Sequence, residues 1–429
     1  MPRLCYHDSN FDENLSNITK SFALDDEVSE QVLKILNAVR KNGDKALIEF
    51  TEKWDQCKLD PTALRVSSQA LDKALQDLNP DDKSLFQLIE KNLIIFHKEH
   101  IAKSWQKELR PGASLGKMIH PLDRVGIYIP GGTAPLISTV FMTVIPAKVA
   151  GVKEIVLCSP PNKKGKIHPL ILAAAEFLGV KEVYSVGGAQ AIGAMAFGTK
   201  SILPVHKIVG PGNAYIAMAK KLVVGVVDID MIAGPSEILV LADEKAKPEW
   251  VAADLLSQAE HDVKARMFLV SNSLALLDQV ENVVITQLKK LKRKKIAKQA
   301  WQDNGWLIHA ENLVQAINIA NAIAPEHLEL MIESPHKYLS QLKSAGAIFV
   351  GPYTPEAVGD YVAGPSHVLP TGGSARFYSP LSVNTFLKET SVLEYDKSLF
   401  LKEAPWMEKL AELEGLGAHK NSISIRINQ

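Results

Sequence analysis

Apolar residues recur every three or four positions through about the first 120 residues, which is the spacing of amphipathic helices. This pattern predicts helices over residues 28–39, 71–78 and 85–97. From Val125 onward the chain changes to short apolar runs that end at glycine or proline and lead into helical stretches. Four such runs occur in succession, over residues 125–129, 154–158, 182–186 and 206–209. Repeated strand–turn–helix units predict a parallel sheet with helices on both faces.

A second group of short apolar runs follows and predicts another α/β region. These runs are predicted strands over residues 238–242, 267–270, 306–308 and 347–350, separated by helical stretches. The C-terminal region predicts a helix over residues 399–413, a glycine-flanked turn, and a final strand over residues 422–427. The fold class expected from this order is α/β with more than one parallel sheet.

Charge and composition narrow the class of protein. Lysine plus arginine equals aspartate plus glutamate at 48 each, so no overall positive field attracts a nucleic acid. The basic residues 289–298 share their stretch with apolar residues at helical spacing, which predicts a solvated helix face. A non-enzymatic nucleic-acid binder acting through this helix is the alternative, and it predicts steeply salt-dependent binding.

The sequence gives no sign of a secreted or membrane protein. Its three cysteines are too few and too scattered for a disulfide framework. The N-terminus lacks the apolar run of a signal peptide, and no stretch reaches the ~18 apolar residues of a membrane span. We therefore expect a cytoplasmic protein with no membrane partner.

Glycine-rich turns follow several of the predicted strands, at residues 130–132, 187–188 and 210–212. Such turns offer free backbone amides at helix N-termini, which suit phosphate groups. None has the three glycines of the dinucleotide fingerprint, because Tyr215 occupies the place of the third in the last turn. The turns indicate either a nucleotide site or simple chain reversal in an α/β fold.

Two short segments carry side chains suited to metal binding or acid–base chemistry. Gln258 and His261 are three residues apart at the end of a predicted helix, so they share a face and could bind a divalent metal. Glu326 and His327 place a carboxylate beside the side chain best suited to act as a base near neutrality. The alternatives are a surface helix end for the first pair and a charged helix start for the second.

Two glycine-rich segments near the C-terminus are predicted to be irregular. Asp360 lies in a predicted short loop that continues into residues 363–373, which contain two prolines and three glycines. Residues 414–419 contain paired glycines that allow the chain to approach a ligand closely. Each segment is either a functional loop or an ordinary surface connection.

Taken together, eight segments in this order resemble the histidinol dehydrogenase family, over nearly the whole chain. They are residues 128–132, 187–192, 210–213, 233–237, 257–262, 325–329, 364–371 and 414–419. The resemblance implies a four-electron oxidation of L-histidinol through L-histidinaldehyde to L-histidine, the last step of histidine biosynthesis. It also implies NAD as oxidant and one Zn²⁺ per subunit.

The resemblance assigns roles to individual residues. It makes His327 the base that takes the alcohol proton, and Glu326 the group that helps activate water. The implied zinc ligands, which also contact substrate, are Gln258, His261, Asp360 and His419. Further implied substrate contacts are Ser236, His327, His367 and Glu414. The implied NAD contacts are Tyr128, Gln190 and Asn213.

Pattern and resemblance together predict two doubly wound, incomplete Rossmann-like parallel-sheet domains, a helical N-terminal arm and a small C-terminal dimerisation segment. The arm is predicted over residues 1–24, the first domain over 25–128 and 237–380, the NAD-binding domain over 129–236, and the dimerisation segment over 381–429. The resemblance implies a homodimer in which the C-terminal segment completes the partner's site. A zinc hydrolase is the alternative function, because a metal, a glutamate–histidine pair and water also suffice for hydrolysis. The glycine turns after parallel strands favour the dehydrogenase.

Overall fold

Three sheets organise the part of the chain described by the computed structural model, which comprises residues 2–19, 26–131 and 135–427. The strands are β1 (Arg3–Cys5), β2 (Trp105–Arg110), β3 (Ala113–Pro121), β4 (Arg124–Tyr128), β5 (Glu154–Ser159), β6 (Glu182–Ser185), β7 (Lys207–Val209), β8 (Asp228–Ile229), β9 (Glu237–Ala242), β10 (Arg266–Ser271), β11 (Gly305–His309), β12 (His327–Met331), β13 (Ala347–Val350) and β14 (Leu387–Tyr395).

Sixteen α-helices connect these strands within the described residues. They are α1 (Phe11–Thr19), α2 (Asp26–Asn42), α3 (Asp44–Asp55), α4 (Ser68–Gln76), α5 (Pro80–Lys98), α6 (Ile137–Ala150), α7 (Pro169–Phe177), α8 (Gly188–Phe197), α9 (Ala214–Val223), α10 (Pro248–Ala259), α11 (Leu274–Leu288), α12 (Lys294–Asn304), α13 (Leu313–Ile323), α14 (Glu356–Tyr361), α15 (Lys397–Leu413) and α16 (Gly417–Ile427). No helix in this described part is long and apolar enough to cross a membrane.

The five-stranded sheet is parallel throughout, with the strand order β6-β5-β4-β7-β8. Two apolar cores are formed between this sheet and its helices. Helices α4–α7 contribute residues to one core, and α2, α3, α8 and α9 contribute residues to the other. The four predicted strand–turn–helix units are therefore confirmed. From β4 the chain adds β5 and β6 on one side, and it then returns to add β7 and β8 on the other side of β4. Open α/β sheets bind ligands beyond the carboxyl ends of the strands at such a reversal.

The six-stranded sheet is also parallel, in the order β1-β11-β10-β9-β12-β13. The four strands predicted for this region correspond to β9, β10, β11 and β13. The short N-terminal strand β1 forms one edge, and two apolar cores cover the two faces. The predicted α/β class with two parallel sheets is thus confirmed.

The chain divides into two compact units. The first unit, Met1–His100 and Leu122–Phe386, holds both parallel sheets. The second, Ile101–Pro121 and Leu387–Gln429, consists of the antiparallel sheet β14-β3-β2 with α15 and α16. The domain boundaries given above stay predictions, and part of the predicted arm, residues 20–24, lies outside the described residues.

Three predictions about secondary structure away from the candidate site were wrong. The mainly helical character expected up to residue 120 ends at Lys98, and the residues after it form β2 and β3. The alternating serine and isoleucine of residues 422–427 predicted a strand, but they lie in α16. There the Ser424 hydroxyl donates to the carbonyl four residues earlier, which is a helical contact. The basic residues 289–298 are not one helix face, because they span the turn between α11 and α12.

We expect His97 to make the stability of the protein depend on pH. It is completely buried on the apolar face of α5, and neither ring nitrogen has a hydrogen-bond partner among the residues that the structure describes. Burial lowers the pKa of His97 to about 4, below its ordinary 6.5, and His100 acts in the same direction. The unfolded chain therefore takes up this proton first as the pH falls. The contribution of neutral His97 to the free energy of unfolding is therefore fully present above pH 6.5. It is lost as the pH falls from 6.5 to 4.

We expect His97→Phe to flatten the dependence of unfolding free energy on pH in that window, by up to about 3 kcal/mol. Urea unfolding of the parent and the variant at several pH values between 7 and 4 measures the difference. Other buried histidines titrate equally in both proteins and cancel in this comparison. Parallel curves for the two proteins would contradict a buried neutral His97.

Candidate active site

The candidate catalytic residues lie where the amino ends of β9 and β12 meet. The alternative interpretation of residues 325–329, a charged helix start, was wrong, because His327 begins β12 and pairs with β9. Helix α13 ends at Ile323, and the left-handed backbone of Ala324 (φ 53°) terminates it before Pro325. The sheet therefore fixes the backbone of His327.

His327 is held as a proton acceptor. Its Nδ1 lies 2.8 Å from the backbone carbonyl oxygen of Glu237, to which an N–H at this position donates. The second nitrogen, Nε2, then carries the lone pair, and it is buried with no hydrogen-bond partner among the described residues. Burial lowers the pKa of His327 to about 4, so the ring is neutral near pH 7. Nε2 lies 4.0 Å from a carboxylate oxygen of Asp360, so the nitrogen that can accept a proton is next to a predicted metal ligand.

Glu326 is a buried carboxyl group beside this imidazole. Its Oε2 accepts the Glu237 backbone N–H at 2.9 Å and lies 3.8 Å from Nδ1 of His327. Burial raises the pKa of Glu326 well above its ordinary value, and the negative charges of Glu237 and Asp360 add to this effect. A carboxylate with a raised pKa is a stronger base than an exposed one.

Glu237 connects both catalytic candidates to the surrounding chain, although no role was predicted for it. Its backbone N–H and carbonyl bind Glu326 and His327, as described above. Its buried carboxylate accepts from Arg266 at 2.7 Å and from the backbone N–H of Gly372 at 3.0 Å. One residue therefore fixes the positions of the base, the neighbouring carboxyl group and the loop of residues 363–373.

Three metal-ligand candidates come together beside His327. His261 and Asp360 were predicted from the sequence, and Glu356 was not. A ring nitrogen of His261 and carboxylate oxygens of Glu356 and Asp360 lie within 4.8 Å of one another. Asp360 was predicted to lie in a loop, which was wrong, because α14 includes it. Gly359 permits this helix, since a side chain there would collide with the ring of Phe349.

Glu356 was missed from the sequence. It precedes Asp360 by four residues, so on α14 the two carboxylates share a face. That spacing would have indicated the pair if a helix had been predicted there. Burial, together with the charge of Asp360, raises the pKa of Glu356 well above its ordinary value. Three acidic groups, the third being Glu326, thus share a largely buried site.

Gln258 supplies the observation that best fits a bound ligand. Its side chain is completely buried in α10, and neither amide atom has a hydrogen-bond partner in the described part of the chain. An unsatisfied buried amide is costly, so a missing partner is expected here. His261 follows the end of α10, where its backbone N–H donates to the Gln258 carbonyl at 3.1 Å. Amide, imidazole and carboxylate donors together suit Zn²⁺ or a similar divalent ion.

The irregular loop of residues 363–373 brings His367 to the same place. Its Nδ1 lies 3.8 Å from Asp360, and its Nε2 lies 3.1 Å from the Thr139 hydroxyl. Burial lowers the pKa of His367 to about 4. Ser236 is partly exposed immediately before β9, next to Glu237. Both residues therefore lie in the first unit, close to elements that carry the catalytic candidates.

The three predicted NAD contacts lie at the carboxyl end of the five-stranded sheet. The Tyr128 hydroxyl, at the end of β4, accepts the Gly188 N–H at 3.2 Å, and Gln190 follows in α8. Gln190 is buried, and its Oε1 has no partner in the described structure. Asn213 follows β7 and caps α9 by accepting two backbone N–H groups. Burial raises the pKa of Tyr128, so its hydroxyl stays neutral.

Two of the predicted glycine turns flank the reversal between β4 and β7. Gly210 adopts φ 117° and approaches the Tyr128 carbonyl so closely that a side chain would collide with it. The other turn includes Gly131, and its Gly132 lies outside the described residues. Helix α6 carries Thr139, the hydroxyl partner of His367, so α6 contacts one of the predicted substrate-binding residues.

Glu414 and His419 belong to the second unit. Glu414 caps the end of α15, and His419 lies in the first turn of α16; both are exposed. Their predicted contributions to a metal and substrate site stay predictions.

Comparison with known proteins identifies the family. The sequence model described as histidinol dehydrogenase matches residues 19–427. The chain belongs to the histidinol dehydrogenase family. The histidinol dehydrogenase of Heliobacterium mobile is 47% identical over 414 residues, covering 96% of this chain and 97% of that protein. That of Aquifex aeolicus is 48% identical over 406 residues, covering 94% of each. The crystal structure of histidinol dehydrogenase from Elizabethkingia anophelis has a TM-score of 0.93 and 39% identity, covering 100% of this chain and 98% of that one.

Membership in the histidinol dehydrogenase family confirms the resemblance drawn from the eight sequence segments. The match spans residues 19–427, so it includes every predicted site residue. The family is one of oxidoreductases.

Proposed function

We propose that this chain oxidises L-histidinol through L-histidinaldehyde to L-histidine, using two NAD molecules and one Zn²⁺ per subunit. The observation that carries the proposal is the buried, unpartnered Nε2 of His327 beside Asp360 and the other metal-ligand candidates. A base without its own partner, next to a cluster of ligands, suits the removal of a proton from a positioned alcohol.

Gln258, His261 and Asp360 are the proposed zinc ligands within this unit, and His419 of a second subunit is the proposed fourth. The free amide of Gln258 and the clustered His261 and Asp360 support this assignment. Zinc would supply a positive charge that holds the imidazole and amine of histidinol in place. Ser236, His367 and Glu414 are the further proposed substrate contacts.

In the first oxidation, Nε2 of His327 takes the proton of the histidinol hydroxyl group while a hydride leaves the carbon that bears this hydroxyl. NAD supplies the hydride acceptor for each oxidation. The Glu237 carbonyl keeps the His327 ring oriented and stabilises it when protonated, because Nδ1–H already donates to that oxygen. The product of this step is the aldehyde.

In the second oxidation, water adds to the aldehyde carbon. The raised pKa of Glu326 suits it to accept the proton that this water releases. The resulting hydrate loses a second hydride and becomes the carboxylate of histidine. His327 again removes the hydroxyl proton, so one imidazole serves both oxidations.

The cofactor is proposed to bind at the reversal between β4 and β7, with contacts from Tyr128, Gln190 and Asn213. The amides of the glycine turns there suit its phosphate groups. The zinc hydrolase and nucleic-acid binder find no support in the comparisons, since each of the relatives described above is named histidinol dehydrogenase. A cytoplasmic location and a homodimer remain proposals.

Counting NADH per histidinol consumed tests the reaction. We expect a ratio of two with little aldehyde in solution, because one buried site carries out both oxidations. NADH absorbance and chromatography of the amino acid products measure the ratio, and a semicarbazide trap measures released aldehyde. A ratio of one with trapped aldehyde contradicts the two-step reaction, and no NADH contradicts the dehydrogenase.

A further inference from the structure

A second cluster of metal-ligand side chains lies at the N-terminus of the first unit. Cys5, His7 and Asp8 each offer one ligand atom, and these atoms lie within 4.8 Å of one another. The three residues follow directly from strand β1 into a tight turn, in which the Asp8 backbone N–H donates to the Cys5 carbonyl at 2.9 Å. Sulfur, imidazole nitrogen and carboxylate oxygen are thus brought together by four consecutive residues.

The neighbouring strand adds a fourth candidate, His309, which stands outside the group of atoms within 4.8 Å, so its ring would have to turn toward them to bind the same ion. Cys5 and His309 are the last residues of β1 and β11 and lie opposite each other in the parallel ladder. Residues in register on neighbouring strands project from the same face of a sheet, so the two side chains are neighbours. The rings of His7 and His309 have centroids 6.4 Å apart, and Tyr6 packs against both.

Two atoms of this cluster are suited to accept a cation. Nδ1 of His309 is buried and has no hydrogen-bond partner in the described part of the chain. Asp8 uses only Oδ2 to accept the Cys5 backbone N–H, at 3.0 Å, and this bond orients the carboxylate toward the turn. The other carboxylate oxygen, Oδ1, is therefore available for a ligand.

This cluster is separate from the candidate active site. Glu237 and His327 begin their strands, whereas Cys5 and His309 end theirs, so one group lies at the amino ends and the other at the carboxyl ends of the parallel strands. From Glu237 to the level of His309 the register advances five residues, from Arg266 to Ser271 on β10. That advance corresponds to roughly 17 Å along the strands, with two strands to cross as well.

We propose that Cys5, His7, Asp8 and His309 bind a second divalent metal ion of the zinc class, which fastens strand β1 to β11. One thiolate, two imidazoles and one carboxylate form a four-ligand set typical of such ions. Binding converts the Cys5 thiol to a thiolate and releases its proton to solvent, so the two anionic ligands balance the charge of the ion. Strand β1 has only three residues and lies at the sheet edge, so it gains most from an added attachment.

Cobalt is the sharpest probe of this site, because a thiolate bound to Co²⁺ gives a near-ultraviolet charge-transfer absorption. None of the proposed active-site ligands contains sulfur, so cobalt in that site does not contribute to the band. The full-length protein is stripped of metal with a chelator and titrated with Co²⁺ without oxygen. We expect a band in the parent that saturates at one thiolate-bound cobalt per chain.

Variants identify the source of the band. Cys5→Ser should abolish it, while Cys57→Ser, a matched change at a buried cysteine outside the cluster, should leave it intact. His309→Gln should raise the cobalt concentration for half-saturation by ~10-fold or more. A parent without the band, or a band that persists in Cys5→Ser, would overturn the site. Unchanged affinity in His309→Gln would overturn the proposed four-ligand set.

Discussion

His327→Gln should lower kcat for histidinol oxidation by ~10²–10⁴-fold while bound zinc stays at the parent level. The glutamine amide can still donate to the Glu237 carbonyl, which now accepts from the His327 ring. It cannot accept a substrate proton as the imidazole Nε2 does. The variant therefore keeps the local contact and loses the base.

The measurement pairs NADH formation at saturating substrate with zinc content by atomic absorption after dialysis. Asp360→Asn is the matched comparison, because Asp360 belongs to the cluster of ligand atoms whereas His327 does not. We expect Asp360→Asn to lose zinc together with activity. If His327→Gln also loses its zinc, His327 is a ligand and the assignment of the base is wrong.

Glu326→Gln is a second informative substitution, at the carboxyl group beside the base His327. The amide oxygen still accepts the Glu237 N–H, so the backbone contact is preserved. We expect the second oxidation to slow more than the first, because only that step uses water. Rapid-mixing measurement of the two NADH-forming phases separates the steps, and equal slowing of both would remove Glu326 from the water-activating role.

The parallel sheets were predictable because their strands are buried on both faces. Such strands appear in sequence as short apolar runs bounded by glycine or proline, and β4 and β9, which are buried throughout, follow this rule. The helices between them show the spacing of three and four that a partly exposed helix requires. Fold class therefore followed from burial alone.

The elements that carry the site were not predictable in the same way. Strand β12 contains His327 and Glu329, which are polar yet buried, so the strand lacks the apolar pattern that its position requires. Glu329 accepts the backbone N–H of Glu356 at 2.6 Å and so holds the start of α14. Burial raises the pKa of Glu329, and nearby Asp254 adds to this effect. These contacts join residues distant in sequence, and a local pattern cannot register them.

The family resemblance assigned the roles of the individual site residues, and it assigned none to Glu356 or Glu237. The structure identifies both residues, because it shows Glu356 beside Asp360 and shows the backbone of Glu237 bonded to Glu326 and His327. Burial of several carboxyl groups around one imidazole is costly unless a ligand or cation compensates. The arrangement is thus explained by function rather than by stability.

The second unit indicates why a dimer is expected. Among its described residues, the buried apolar side chains are only Ala113, Ala404 and Ala411. Large apolar side chains on α15, by contrast, are mostly exposed: Trp406 by 76%, Leu413 by 72% and Leu410 by 57%. Exposed apolar surface of this extent marks an interaction site, and the proposed occupant is a second copy of the chain.

Mixing two inactive variants should restore activity if the C-terminal segment of each subunit completes its partner's site. His327→Ala lacks the base in the first unit, and His419→Ala lacks the proposed ligand in the second. In a crossed two-fold dimer, a heterodimer carries both lesions in one site and leaves the other intact. Activity should then return to about half of the parent level per heterodimer, measured after subunit exchange and separation by different affinity tags. If His419 acts within its own subunit, every site keeps one lesion and the heterodimer stays inactive.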